Sequence, residues 1–120
     1  MILTREQILE ADDLKSEEIP VPEWGGSVLV RPMSGSERDA FEARYAKVGK
    51  QNIRAASAAA SICDENGQAI FSVSDIEALG KKSAAALDRV ADAALRLSKL
   101  SQQDVAQLEQ EASGNAPPSA

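Results

Sequence analysis

Few residues in this chain could carry chemistry. There is no histidine, and Cys63 is the single cysteine. Without imidazole the usual general base near neutral pH is missing. One Cys with no His cannot assemble a zinc site or an internal disulfide. Cys63 could act as a nucleophile only if a neighbour lowered its pKa, and a buried or half-buried structural thiol is the better expectation. The acidic pairs Asp12-Asp13 and Asp64-Glu65 sit in turn-like stretches, where adjacent carboxylates are ordinarily solvated. Gly25-Gly26 is not a phosphate loop, because no Lys-Ser/Thr follows and no strand–loop–helix frame surrounds it. The expectation is therefore a non-enzymatic chain with no catalytic, cofactor-binding or metal-ligating residues.

Composition points to contacts with other proteins. The chain has 120 residues, 43% hydrophobic and 27% charged, which suits one globular domain. Alanine is the commonest residue, with two Phe, one Tyr and one Trp. Each alanine buries little area, so the expected core is thin and some apolar surface is left for partners. A formal net charge of −6 disfavours nucleic acid, whose binding draws on Lys and Arg, and anionic membrane surfaces. Met1 to Leu9 carries charges within its first six residues and no apolar core, unlike a signal peptide. No apolar run approaches a bilayer span, and a cytoplasmic location is expected.

The elements follow from capping and turn signals. Thr4-x-x-Gln7 reads as a capping box for a helix from about Arg5 to Ala11, with Ile8 and Leu9 as its apolar contacts. Glu18 to Trp24, with Pro20 and Pro22, suits an edge strand. Trp24 to Ser27 suits a turn, and Val28 to Arg31 a strand that completes a hairpin. Ser34-x-x-Glu37 opens a helix to about Lys47, with Phe41, Tyr45 and Val48 at helical spacing beside Ala40, and Gly49 ends it. Asn52 to Cys63 is ambiguous: its alanines favour helix, but Asn66-Gly67 signals a hairpin. The reading favours a strand near Ala58 to Cys63 paired with Ala69 to Ser72. Ser74-x-x-Glu77 caps a short helix closed by Gly80. Ser83 caps the longest helix, Ala84 to about Leu100, with an apolar face of Leu87, Val90, Ala91, Ala94, Leu95 and Leu97. Ser101-x-x-Asp104 caps a last helix holding Val105 and Leu108. The predicted fold class is α+β: helices packed on a small antiparallel sheet, a helical C-terminal half and a disordered tail. One domain spans 1–110 and the tail 111–120.

Trp24 has two readings. It plugs the thin core, the favoured one, or it anchors a partner, since Trp is enriched at interface hot spots. The apolar face of the long helix has the same two readings.

At Trp24 the pattern becomes recognisable. Ile19-x-Val21-Pro22-Glu23-Trp24-Gly25-Gly26-x-Val28-x-Val30-Arg31 is followed by Ser34-Gly35-Ser36-Glu37-Arg38-Asp39-x-Phe41-Glu42. Then come Asp64-Glu65-x-Gly67-x-x-Ile70-Phe71, Asp75-Ile76-x-x-Leu79-Gly80, and a helix holding Leu87, Ala93-Ala94 and Leu95-x-Leu97. From about Ile19 to Leu100 the chain resembles the tail assembly chaperones of long-tailed bacteriophages with lambda-like and HK97-like tails. It departs from them in the alanine-rich stretch Ala55 to Ser61, where the family carries bulkier apolar residues. The resemblance implies a protein that binds the tape measure protein, keeps it soluble and helps recruit subunits of the major tail (tube) protein. It also implies a frameshifted longer form of the same chain, action in the host cytoplasm, and absence from the mature virion. The alternative is a structural tail or neck subunit retained in the virion. The candidate protein contacts are Pro22, Glu23, Trp24 and Arg31 in the first segment, and Leu87, Val90 and Leu97 on the long helix. The thin core and spare helix face add weak homo-oligomerisation to the expectations.

Overall fold

The computed structural model describes residues 1–98. The predicted end of the long helix at Leu100, the helix capped by Ser101 and the tail from Glu111 lie outside the described residues. The fold is α+β, as expected. In chain order the elements are α1 (Arg5–Glu10), β1 (Glu17–Val21), β2 (Gly26–Val30), α2 (Gly35–Val48), α3 (Ile53–Ser61), β3 (Ile62–Cys63), α4 (Ile76–Leu79) and α5 (Ala84–Leu97).

The hairpin forms where its turn residues allow it. β1 and β2 pair antiparallel, from Glu17 opposite Val30 to Val21 opposite Gly26. Pro22–Trp24 makes one 3₁₀ turn, and Gly25 closes it at φ 77°, a left-handed conformation that favours glycine. Alternation along the strands turns Ile19, Val21, Val28 and Val30 toward the core. Pro20 and the exposed Glu17 and Glu18 sit on β1, an outer strand of the sheet, where proline and charge are tolerated. β3 pairs with β2, Leu29 opposite Cys63 and Val30 opposite Ile62.

Caps start the helices. At α1, Thr4 Oγ1 accepts from the Gln7 amide at 3.2 Å, and Gln7 Oε1 accepts from the Thr4 amide at 2.9 Å. At α2, Ser34 and Glu37 make the same reciprocal pair. Ser83 Oγ accepts from the Ala86 amide and opens α5. The third predicted box is shifted: the Ser72 amide, not that of Ser74, donates to Asp75 Oδ2 at 2.8 Å. A 3₁₀ turn over Val73–Asp75 then leads into α4. On α2, Phe41 and Tyr45 are buried, but Val48 and Ala40 are exposed, so only the first two serve the core.

The predicted strand over Ala58 to Cys63 is corrected. Its first four residues complete α3, and only Ile62 and Cys63 are extended. The returning segment Ala69 to Ser72 pairs at one position, Cys63 with Ala69. The reason lies in side-chain size. Alanine is the best helix former, and a helix of small residues lets neighbours approach closely. α3 is therefore central. Ala58 packs in one cluster with Val21, Val30, Ile62, Leu87 and Val90. Ala55, Ala56 and Ala59 pack in another with Met33, Phe41, Ile76 and Leu79. Phe71 packs against both clusters.

Candidate functional site

Of the seven candidate contacts, three are buried. Leu87 and Val90 belong to the cluster under the hairpin, so the face of α5 that carries them is core. Leu97 and Trp24 are half-buried at the edge of that cluster. Pro22 and Glu23 are exposed beside Trp24. Glu23 receives Arg89 Nε at 2.9 Å, which ties the hairpin turn to the outer face of α5. This hydrogen bond is the main reason the Glu23 carboxyl sits below its ordinary pKa. Arg96 reaches Glu17 at 3.0 Å from the other end of α5.

Arg31 is the third buried candidate, at 6% exposure, and its work is internal. Nε donates to the Gly67 carbonyl at 2.9 Å and Nη1 to the Pro32 carbonyl at 3.1 Å. Nη1 and Nη2 grip both Glu37 oxygens at 2.7 and 2.8 Å. Glu37 Oε1 also accepts from the Ser34 amide at 2.9 Å. One guanidinium therefore joins the end of β2, the Asp64–Gly67 turn and the start of α2. The bidentate geometry is the strong form of this pair. It holds the Glu37 carboxyl down to about 2, with the Arg31 hydrogen bonds as the largest cause. The Ser34-x-x-Glu37 spacing reveals the cap, but nothing local reveals that Glu37 also serves Arg31.

Cys63 is buried, and burial pushes its thiol above the ordinary pKa, which disfavours the nucleophilic thiolate. Among the described residues, no group of three or more His, Cys, Asp and Glu could hold a metal ion, and no helix is long and apolar enough to cross a membrane.

The exposed apolar residues lie elsewhere than predicted. Ile8 and Leu9, expected to contact the body from α1, are 58% and 67% exposed, and α1 buries no residue. Met1, Ile2 and Leu3 before it are also exposed, as are Ile70 and Val73 before α4. The capping box identifies α1 but not its missing partner. The flanking acids Glu6, Glu10, Asp12 and Asp13 are the only signal that this segment faces water. Near its base, Asp13 and Leu14 line a cavity of about 330 Å³ with Met33, Leu97 and Ser98.

The fold and surface define a small α+β domain with a three-stranded antiparallel sheet and an apolar N-terminal arm. The family model described as phage tail assembly chaperone, TAC, matches residues 5–111. The chain belongs to this family of phage tail assembly chaperones. A solved structure, that of the bacteriophage HK97 tail assembly chaperone, has a similar fold, with a TM-score of 0.59 and 24% identity over 77% of this chain and 90% of that one. No curated protein matches.

Proposed function

We propose that this tail assembly chaperone is a non-enzymatic binding protein. It binds the tape measure protein, keeps it soluble, and helps recruit major tail (tube) protein subunits. The family match across residues 5–111 carries the reading. Physics supports it. A tape measure is a long helical protein whose uncovered apolar faces would aggregate. A small acidic domain with exposed Ile8, Leu9, Ile70 and Val73 has apolar surface to offer and charge to keep the complex dissolved. A single 120-residue chain covers only a few turns of such a partner, so many copies act side by side. Weak self-association and contact with a frameshifted longer form of the chain belong to the same proposal. The work takes place in the host cytoplasm, and the finished virion lacks the protein.

Coexpression tests this directly. The chain should hold the tape measure protein of its own phage in the soluble fraction and co-purify with it in many copies. Raising salt through the physiological range should weaken the complex only mildly, because apolar burial is not screened. An insoluble tape measure with the chain in excess would sink the proposal. Recovery of the chain as a stoichiometric virion component would favour a retained tail or neck subunit instead.

A further inference from the structure

We infer that the Asn66–Gly67 turn is a site of spontaneous backbone modification, and that the reaction releases the turn from Arg31.

The chemistry is local. The side-chain amide carbon of an asparagine can be attacked by the backbone nitrogen of the next residue, and a glycine there has no side chain to obstruct the approach. Of the chain's three asparagines, only Asn66 precedes a glycine. Asn66 is exposed, and the space beside the Gly67 Cα is open for 4 Å, so water and the reacting groups have room. The Gly67 nitrogen gives its proton to solvent and forms a bond to Asn66 Cγ. The Cγ–Nδ2 bond breaks, and Nδ2 leaves as ammonia with protons from solvent. Water then opens the succinimide ring. Cleavage at the backbone carbonyl carbon of Asn66 leaves a β-aspartyl linkage, and cleavage at Cγ leaves an α-aspartyl one. The net change is amide plus water to acid plus ammonia.

The fold slows this reaction without blocking it. The Gly67 amide donates to the Asp64 carbonyl at 3.0 Å, and Asp64 Oδ1 accepts from the Asn66 and Gln68 amides at 2.8 and 3.0 Å. The attacking nitrogen is therefore engaged until the turn opens. Opening an exposed turn breaks few bonds and uncovers no core, so it belongs to the low-cost end of local unfolding.

The same turn anchors Arg31. The Gly67 carbonyl accepts from Arg31 Nε at 2.9 Å, and Arg31 is buried. A β-aspartyl linkage puts one extra carbon into the backbone just before Gly67 and leaves a new carboxylate beside Asp64 and Glu65. The carbonyl then no longer sits where Arg31 Nε meets it, and a buried donor loses its acceptor. The consequence is a slow, time-dependent loosening of the clasp that ties this turn to β2 and α2.

The test holds the full chain folded for days in mildly alkaline buffer, beside a sample unfolded in urea. Peptide mapping by mass spectrometry should find the amide-to-acid mass gain at residue 66 in both, and isoaspartyl methyltransferase should label both there. The unfolded sample should react at least about tenfold faster. Asn52, half-buried and followed by the branched Ile53, should stay intact in the folded sample. The aged β-aspartyl form, separated by ion exchange, should melt at least about 4 °C below fresh protein, and its Arg31 Nε–H should lose protection from solvent exchange. N66D adds the charge without the extra carbon and should melt close to wild type. Aged N66Q should melt like fresh N66Q. No mass gain at residue 66 in the folded chain would overturn the site. A folded rate equal to the unfolded one would overturn the control by the Asp64 hydrogen bonds. Release of Arg31 would be overturned by a β-aspartyl form that melts like fresh protein with Arg31 Nε–H still protected, or by an N66D that melts as low as that form.

Discussion

Arg31 and Glu37 show how one pair of side chains can do several jobs. Glu37 caps α2 and neutralises a buried guanidinium, while Arg31 fastens the Gly67 turn. The folded-state pKa of Glu37, about 2, lies below its ordinary value of 4.5. A depressed carboxylate contributes its stabilisation fully above the unfolded value and loses it as pH falls toward the folded one. Stability should therefore drop between about pH 4.5 and 2, with this residue accounting for roughly 2–3 kcal/mol of the loss. Thermal melts of wild type and Glu37→Gln across that range check this: the variant should be less stable at neutral pH and show a shallower acid slope. Equal slopes would remove Glu37 from the account. Trp24 is a second residue with a measurable role. It sits half-buried on the hairpin-side core, between the two roles that its sequence suggests. Trp24→Ala should cost about 2 kcal/mol, less than the 3–5 kcal/mol typical of a fully buried aromatic. Chemical denaturation measures it, and an unchanged midpoint would mean that the ring contributes nothing to the core.

Among the elements, α3 decides the architecture. Its alanines touch α5 and the sheet on one side and α2 and α4 on the other, so both clusters depend on their small size. Ala58 is fully buried among Val21, Val30, Ile62, Leu87 and Val90, so a larger side chain there must displace its neighbours. Ala58→Leu should destabilise the fold by about 1–3 kcal/mol or more through overpacking. The same change at half-buried Ala60 should cost clearly less. Comparing their denaturation midpoints tests whether α3 is wedged as described, and equal costs would argue against it. α1 is the opposite case, a helix specified by its own cap and supported by no core contact. The capping signals were legible because each is a local exchange of hydrogen bonds within four residues. The Ala58–Cys63 stretch was not, since a hairpin turn signal and a helical alanine run disagreed there, and long-range packing settled the matter.

For the molecule as a whole, two small clusters behave as one body only if something joins them. Phe71 and α3 do so. Trp24 fluorescence, which reports the hairpin-side cluster, and far-UV circular dichroism, which reports all helices, should therefore follow one coincident unfolding transition. Separate midpoints would show that the clusters unfold independently. Charge also works at this scale. Glu23–Arg89 and Glu17–Arg96 tie the two ends of the hairpin to α5. The amino-acid sequence by itself determined the α+β class, the β1–β2 hairpin, most helix starts and the resemblance to tail assembly chaperones. These rest on caps, prolines, turn glycines and motif order, all of which act over a few neighbouring residues. Only the tertiary structure decided which apolar residues were spare. Leu87, Val90 and Arg31 have the composition of contact residues, yet the hairpin, α3 and the Gly67 turn close over them. Ile8 and Leu9 have the composition of core, yet both are exposed. Burial is a property of what packs against a residue, and that partner is chosen by contacts distant in the chain.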